Sequence, residues 1–245
     1  MLAIYLVIFI LGACLGSFYH VVGYRMPAGQ NWVTGRSKCS NCNRILSFRE
    51  LVPIISYLLQ KGRCQNCQGQ IKALYFWLEL LSGFLFVLPV YVYGIIEVRS
   101  ILTSWLFLSM LLIISVSDIY YQLILNKVLL FFGFFLLFHA SNLMGALIAF
   151  LMMSGLACLG KALFKKEALG GGDIKLYLII GLVLEPTLII LSLFLATLLA
   201  LIYALIFVKD RSKPISFGPF IAISAYFCLF YGSHLISVYL NLLNL

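Results

Sequence analysis

The sequence has little charge. Only 10% of its 245 residues are charged, whereas 63% are hydrophobic and the mean hydropathy is +1.08. A soluble domain of this length would need far more polar surface to cover its core. The composition therefore excludes a soluble globular protein and predicts that lipid surrounds most of the chain.

The sequence also lacks the basic start of a signal peptide and a glycine-rich cofactor loop. No Lys or Arg precedes the first apolar run, whereas Arg25 follows it. A cleaved signal peptide begins with a basic region, so we expect the first run to remain as a membrane helix. The sequence also has no glycine-rich cofactor loop of the usual kind, so no nucleotide site is evident from a motif.

Long apolar runs fill most of the sequence, and most of them have the length that a bilayer requires. They predict an all-α polytopic membrane protein with about eight transmembrane helices. The runs lie at 2–23, 73–94, 101–117, 124–139, 143–164, 174–185, 187–208 and 218–240. At about 1.5 Å per residue, the run before Pro186 is too short to cross a core of about 30 Å. We expect a stunted helix there, with its outer end surrounded by protein or water.

The basic residues indicate an orientation. The segments between runs alternate between two sides, and one side holds 24–72, 118–123, 161–175 and 209–217. That side, with the ends of its flanking runs, carries all of the 17 Lys and Arg residues except Arg99. The positive-inside rule places it in the cytoplasm and both termini outside, the alternative being an accidental split.

Two parts can be distinguished along the chain. Residues 1–94 form a membrane hairpin with a polar insert at 24–72, and residues 95–245 form a six-helix membrane bundle. The insert is too small to bury a core of its own, so it should need a covalent or metal cross-link.

Four cysteines in the insert supply such a cross-link. They form two Cys-x-x-Cys pairs, Cys39 with Cys42 and Cys64 with Cys67. Each pair places two thiolates on one tight turn, which suits tetrahedral zinc. Disulfides and free thiols are the alternatives, and a reducing cytoplasm disfavours disulfides. Because four thiolates leave no open position for water, we expect a structural zinc rather than a hydrolytic one.

Two of the 8 acidic residues lie at the ends of apolar runs on the predicted cytoplasmic side. Asp118 closes the third run, and Asp173 opens the sixth after Gly170-Gly171-Gly172. Carboxylates at membrane depth are costly, so a function is expected. Two close carboxylates share one proton, so that one activates water while the other polarises a carbonyl. The glycines would let a substrate backbone approach closely.

Other interpretations of these residues stay open. Either aspartate could be an interfacial residue, Asp173 after its three glycines could be an N-cap, and Lys175 could be a membrane anchor. Lys175 lies two positions after Asp173, so an ion pair within the helix is not expected. The helix N-terminus would favour ionised Asp173 and leave the proton on Asp118, but coupled titration leaves this assignment undecided. A proton-coupled transporter or channel would use the same two aspartates.

Several motifs together resemble the type IV prepilin peptidases of bacterial membranes, and the resemblance covers nearly the whole chain. They are residues 16–27, 36–42, 51–58 and 62–67, Glu79, Asp118, the Gly-x-Gly-Asp-x-Lys run of Gly170, Gly172, Asp173 and Lys175, and residues 217–220. The chain departs from the family pattern at His20, Phe76 and Leu125, where Asn, Pro and Pro are usual.

The resemblance implies an enzyme of the bacterial cytoplasmic (inner) membrane. Such enzymes cut the basic leader from prepilins or pseudopilins at the cytoplasmic face, after a glycine, with Asp118 and Asp173 as the implied catalytic residues here. Many then methylate the new N-terminus with S-adenosylmethionine, and the half that carries the zinc insert is associated with this step. The expected partners are prepilins and membrane lipids, with no nucleic acid. A methyltransferase that has lost proteolysis is the remaining alternative, and the intact aspartates argue against it.

The sequence does not locate the methyl-donor site, and Arg25 and Glu79 are the candidates that the resemblance offers. Arg25 could instead be an interfacial anchor. Glu79 lies within an apolar run and needs a partner, for which Arg25 or Lys72 is near enough in sequence.

Overall fold

The computed structural model describes residues 1–140, 142–165, 169–208 and 215–242. Within these residues the chain is helical, with only isolated bridges in place of strands. It divides into two compact units, Met1–Ile101 and Leu102–Leu245. The predicted all-α class is confirmed.

The first unit is a hairpin of two long helices with the insert between them. Helices α1 (Leu2–Arg25) and α3 (Ala73–Tyr93) pack closely, and the insert adds a short 3-10 helix (Phe48–Leu51) and helix α2 (Ile55–Leu59). Glycines allow the close approach, since a Cβ on Gly16 would lie 2.5 Å from the Cβ of Ser82. The Ser82 hydroxyl donates to the Gly12 carbonyl at 2.7 Å. Small residues with a hydroxyl hydrogen bond are typical of membrane helix pairs.

Helix α4 (Val98–Tyr121) begins in the first unit and continues into the second. The second unit then adds α5 (Asn126–His139), α6 (Leu143–Phe164), α7 (Gly171–Ile180), α8 (Pro186–Phe207) and α9 (Gly218–Leu242). Within it α8 packs on α9 and α6, and α7 packs on α5 and α6. Phe107, Met110 and Ile114 of α4 are fully buried.

Each predicted apolar run contains one helix. Among the described residues, α1, α3, α4, α6, α8 and α9 are long and apolar enough to cross a membrane. Helix α5 has 14 residues and α7 has 10, so neither is long enough to span the hydrocarbon core of a membrane. The estimate of about eight transmembrane helices therefore becomes six long helices and two shorter ones.

The stunted helix expected at 174–185 is α7, although its bounds differ. It begins three residues earlier, at Gly171, and ends at Ile180, with turns before Glu185. Pro186 is the first residue of α8, where its fixed φ and missing N–H fit a helix start. Residues 166–168 and 209–214, which include Lys166, Lys209, Arg211 and Lys213 of the predicted basic side, lie outside the described residues.

Candidate active site

Asp118 lies in the last turn of α4, and its carboxylate is held by the start of α9. The backbone N–H of Gly218 donates to Oδ2 at 2.7 Å, and the Ser216 hydroxyl donates to the Asp118 carbonyl at 2.9 Å. The residue is only 7% exposed. The start of α9 therefore fixes the orientation of this buried carboxyl group.

Asp173 lies in the first turn of α7, where its own N–H donates to the Gly170 carbonyl at 3.0 Å. The Asp173 carboxyl group lies close enough to that of Asp118 for the two to interact electrostatically. The structure thus brings together the two carboxylates that the sequence placed 55 positions apart. The Asp118 carboxyl group meets the N-terminus of α9, and Asp173 lies at the N-terminus of α7. The helix-dipole argument that assigned the shared proton to Asp118 therefore no longer separates the two aspartates.

A glycine lies beside each of the two carboxylates. A Cβ on Gly218 would lie 2.9 Å from Asp118 Oδ2, and a Cβ on Gly170 would lie 3.1 Å from Asp173 Oδ2. A Cβ on Gly172 would lie 2.9 Å from the Cβ of Ile124. Gly170 and Gly218 therefore leave room for the two carboxylates beside the backbone, whereas Gly172 lets α7 pack against the chain after α4.

Lys175 has a structural contact with α5. Its Nζ donates to Oδ1 of Asn126 at 3.2 Å, which joins α7 to the first residue of α5. This contact orients the helix that carries Asp173. Sequence analysis missed Asn126. It included Gly218 in the motif of residues 217–220 but gave this glycine no role beside Asp118.

The four cysteines of the insert converge as predicted. The sulfur atoms of Cys39, Cys42, Cys64 and Cys67 all lie within 4.8 Å of one another, and those of Cys39 and Cys67 are 3.8 Å apart. Four thiolates at about 2.3 Å from a central zinc would be about 3.8 Å from each other. The cluster can bind a metal ion.

Two matching turns build this cluster. In the first, the Cys39 N–H donates to the Arg44 carbonyl at 2.9 Å, and Asn43 has a φ of 56°. In the second, the Cys64 N–H donates to the Gly69 carbonyl at 2.9 Å, and Gln68 also has a φ of 56°. Backbone N–H groups of Cys67 and Asn66 lower the pKa of the Cys64 thiol to about 6, whereas burial and the neighbouring thiols raise the pKa of Cys67 to about 11.

An ion pair supports the first turn. Arg44 Nη2 donates to Glu50 Oε1 at 2.6 Å, while Glu50 Oε2 accepts the N–H and the hydroxyl of Ser47, each at 2.9 Å. These hydrogen bonds, from Ser47 first and then Arg44, lower the pKa of Glu50. Glu50 therefore joins the 3-10 helix to the turn that carries Cys42.

Arg25 and Glu79, the candidates for the methyl-donor site, both line one cavity of the first unit. Arg25 Nη1 donates to the carbonyls of Gly35 at 2.9 Å and Asn31 at 3.4 Å. Glu79 Oε2 accepts the backbone N–H of Ile54 at 2.8 Å. The partners found for these two side chains are thus groups that the sequence did not suggest.

Two protein-family models match different parts of the chain. The Bacterial Peptidase A24 N-terminal domain matches residues 10–93, and the Type IV leader peptidase family matches residues 105–205. No solved structure matches the chain.

Curated relatives match along most of the chain. A protein of Bacillus subtilis (strain 168) named prepilin leader peptidase/N-methyltransferase is 33% identical over 249 residues, which cover 96% of this chain and 98% of the relative. Proteins of the same name from Aeromonas salmonicida (strain A449) and Dichelobacter nodosus are 29% and 28% identical; the first match covers 96% of this chain and 93% of the relative, the second 90% and 89%. The chain therefore belongs to the type IV leader peptidase family.

Proposed function

We propose that this chain is a membrane-embedded aspartic endopeptidase that removes the basic leader of type IV prepilin-like proteins and then methylates the new N-terminus. The match to two family models and to relatives named prepilin leader peptidase/N-methyltransferase supports both activities. What supports the peptidase assignment is that Asp118 and Asp173 of the second unit lie close enough for their carboxyl groups to interact electrostatically.

The paired carboxylates account for cleavage without a catalytic metal. One ionised carboxylate takes a proton from water, whose oxygen attacks the scissile carbonyl carbon. The other, protonated carboxyl polarises the carbonyl oxygen, and a proton then passes to the departing nitrogen as the carbon–nitrogen bond breaks. The Gly218 N–H fixes Asp118 for this chemistry at 2.7 Å.

The proposed cut follows a glycine at the cytoplasmic face of the bacterial inner membrane. The six long apolar helices make the chain a multi-pass membrane protein. The distribution of Lys and Arg supports a topology with both termini outside and the insert in the cytoplasm. An apolar prepilin helix in the bilayer would leave its leader beside the aspartates. Because leader and enzyme surface are both basic, attraction between net charges does not explain recognition.

We assign the peptidase to residues 95–245 and the methyltransferase part to residues 1–94. The cysteine cluster in the latter fits a structural zinc, because its four sulfur ligands fill a tetrahedron and leave no site for water. The zinc would hold the two turns of the insert together, since so small a segment buries little apolar surface.

S-adenosylmethionine is the methyl donor that the resemblance implies. When bound, it supplies a methyl group on a positively charged sulfur, which the amine lone pair takes as the carbon–sulfur bonding electrons return to sulfur. The cavity that Arg25 and Glu79 line fits this molecule, since it has a volume of about 790 Å³ and offers aromatic, acidic and basic side chains. The chain's own task is to bind the donor there and to accept the neutral amine of the cleaved substrate.

Co-expression with a candidate prepilin, followed by intact-mass measurement, tests both activities. We expect the prepilin to lose its leader and to gain the mass of one methyl group. A prepilin whose last leader residue is changed from glycine to a bulky residue is the control and should stay full length. A wild-type prepilin that remains full length would contradict the peptidase, and cleavage without added mass would contradict the methyltransferase.

A further inference from the structure

A second, smaller cavity of about 530 Å³ lies where the insert ends and α3 begins. Three cations, Lys61, Arg63 and Lys72, line it, and no carboxylate of the described residues does. Within the part of the chain that the structure describes, the ion pair joins Arg44 to Glu50, so no carboxylate pairs with Lys61 or Arg63. The cavity therefore offers uncompensated positive charge.

A tight turn after α2 builds one wall of this cavity. Lys61 and Gly62 have φ angles of 51° and 68°, and the Gly62 N–H donates to the Tyr57 carbonyl at 3.0 Å. A Cβ on Gly62 would lie 2.9 Å from the Tyr57 hydroxyl oxygen, so the glycine makes room for this ring. Arg63 then forms a bridge with Gln70, which also lines the cavity. The cations thus stand on an ordered wall with neutral hydrogen-bonding groups beside them.

The cavity lies at the height where α3 enters the membrane. The 21 residues of α3 extend for about 32 Å, close to the thickness of a hydrocarbon core, so its first residue, Ala73, belongs at headgroup level. Ala73 lines the cavity, and no side chain caps this helix start, which favours an anion there. One turn later Trp77 is 60% exposed, as is typical of an aromatic residue at a membrane interface.

The insert exposes apolar side chains next to these cations. Leu58 and Leu59 are 59% and 77% exposed and stand just before Lys61. The ring of Tyr57 stacks on that of Phe76 at 5.2 Å, which holds α2 against the first turn of α3. Exposed leucines beside basic residues are typical of a segment that lies in the interface of a bilayer.

We propose that this cavity binds the phosphate of an anionic phospholipid headgroup, with Lys61, Arg63 and Lys72 around the phosphate and Leu58 and Leu59 against the acyl chains. Arginine and lysine side chains both bind phosphate, and basic residues beside a membrane attract anionic lipids. A free phosphate would use the same cations but leave the two leucines in water, so the lipid fits the surface better. Such binding is independent of the peptidase and methyltransferase chemistry.

Titration of the full chain in detergent with phosphatidylglycerol, followed by native mass spectrometry, tests this site. Lys61→Gln with Arg63→Gln should weaken binding of the first lipid by about 10-fold to 30-fold, since each basic residue near an anionic headgroup contributes about fivefold. Arg36→Gln with Arg49→Gln is the matched control, because it removes the same charge from exposed positions of the insert that do not line this cavity. We expect less than a change of about twofold for the control, and equal losses for the two double variants would overturn the site.

Further titrations separate a lipid from a free phosphate. Inorganic phosphate in tenfold excess should leave the phosphatidylglycerol bound, and zwitterionic phosphatidylcholine should bind at least about tenfold more weakly. Leu58→Ser with Leu59→Ser should weaken phosphatidylglycerol binding several-fold, because less apolar surface is buried against the acyl chains. Displacement of the lipid by inorganic phosphate, equal affinity for the two lipids, or unchanged binding by the leucine variant would each overturn the proposal.

Discussion

Replacing Gly218 by alanine should slow leader cleavage without unfolding the protein. The new Cβ would lie 2.9 Å from Oδ2, 3.0 Å from Cβ and 3.1 Å from Cγ of Asp118, all shorter than ordinary contacts of 3.4–4 Å. The carboxylate must therefore move by several tenths of an ångström, which stretches the 2.7 Å hydrogen bond from the Gly218 N–H. A hydrogen bond to a charged group contributes about 1.5–3 kcal/mol, so cleavage should be about 10-fold to 100-fold slower.

The assay is the initial rate of leader removal from a purified prepilin in detergent. Gly155→Ala is the matched control, because Gly155 also lies in a helix of the second unit and a Cβ there meets nothing within 4 Å. Alanine stabilises a helix relative to glycine, so both variants should fold. If Gly218→Ala removes the leader as fast as Gly155→Ala and the wild type do, the start of α9 has no role in holding Asp118.

Other substitutions test the metal centre and the packing of α7. Cys42→Ser should lower zinc, measured by elemental analysis, from about one ion per chain to far less, and unchanged zinc content would exclude the cluster. Glu50→Gln removes the charge that pairs with Arg44 and should lower the stability of the folded insert by about 1 kcal/mol. Zinc should then pass to a chelator faster than from the wild type, and an unchanged rate would contradict this role of the ion pair. Gly145→Ala places a Cβ against the Gly181 carbonyl oxygen and should lower the free energy of unfolding by about 1–3 kcal/mol, whereas unchanged thermal unfolding would contradict that packing.

The helices and the metal cluster could be predicted because their signals are local. Apolar length decides where a membrane helix forms, and Pro186 limited the run that became α7. Each Cys-x-x-Cys pair fixes two sulfur atoms on one turn, so only the meeting of the two turns depended on the tertiary structure. The positions of Asp118 and Asp173 at helix ends were likewise readable, since each follows or precedes an apolar run.

The contacts around these side chains could not be predicted, because their partners are distant in sequence and mostly backbone groups. Gly218 is 100 positions from Asp118, and its donor is an N–H that every residue except proline possesses. Glu79 was expected to need a charged partner, and instead it accepts the N–H of Ile54 in a strained turn. Helix α7 begins earlier than the apolar run at 174–185, because hydrophobicity alone set the bounds of that run and the first turn of the helix contains Gly171, Gly172 and Asp173.

The pairing of Asp118 with Asp173 is tested most directly by the cleavage rates of Asp118→Asn, Asp173→Asn and the double variant. Residues that act as one unit give non-additive losses, so each single variant should lose about a hundredfold or more and the double variant should be no slower than the singles. Mass spectrometry of a co-expressed prepilin should find the leader intact with all three. Cleavage at the wild-type rate by either single variant, or a double-variant loss equal to the product of the single losses, would contradict a shared catalytic pair.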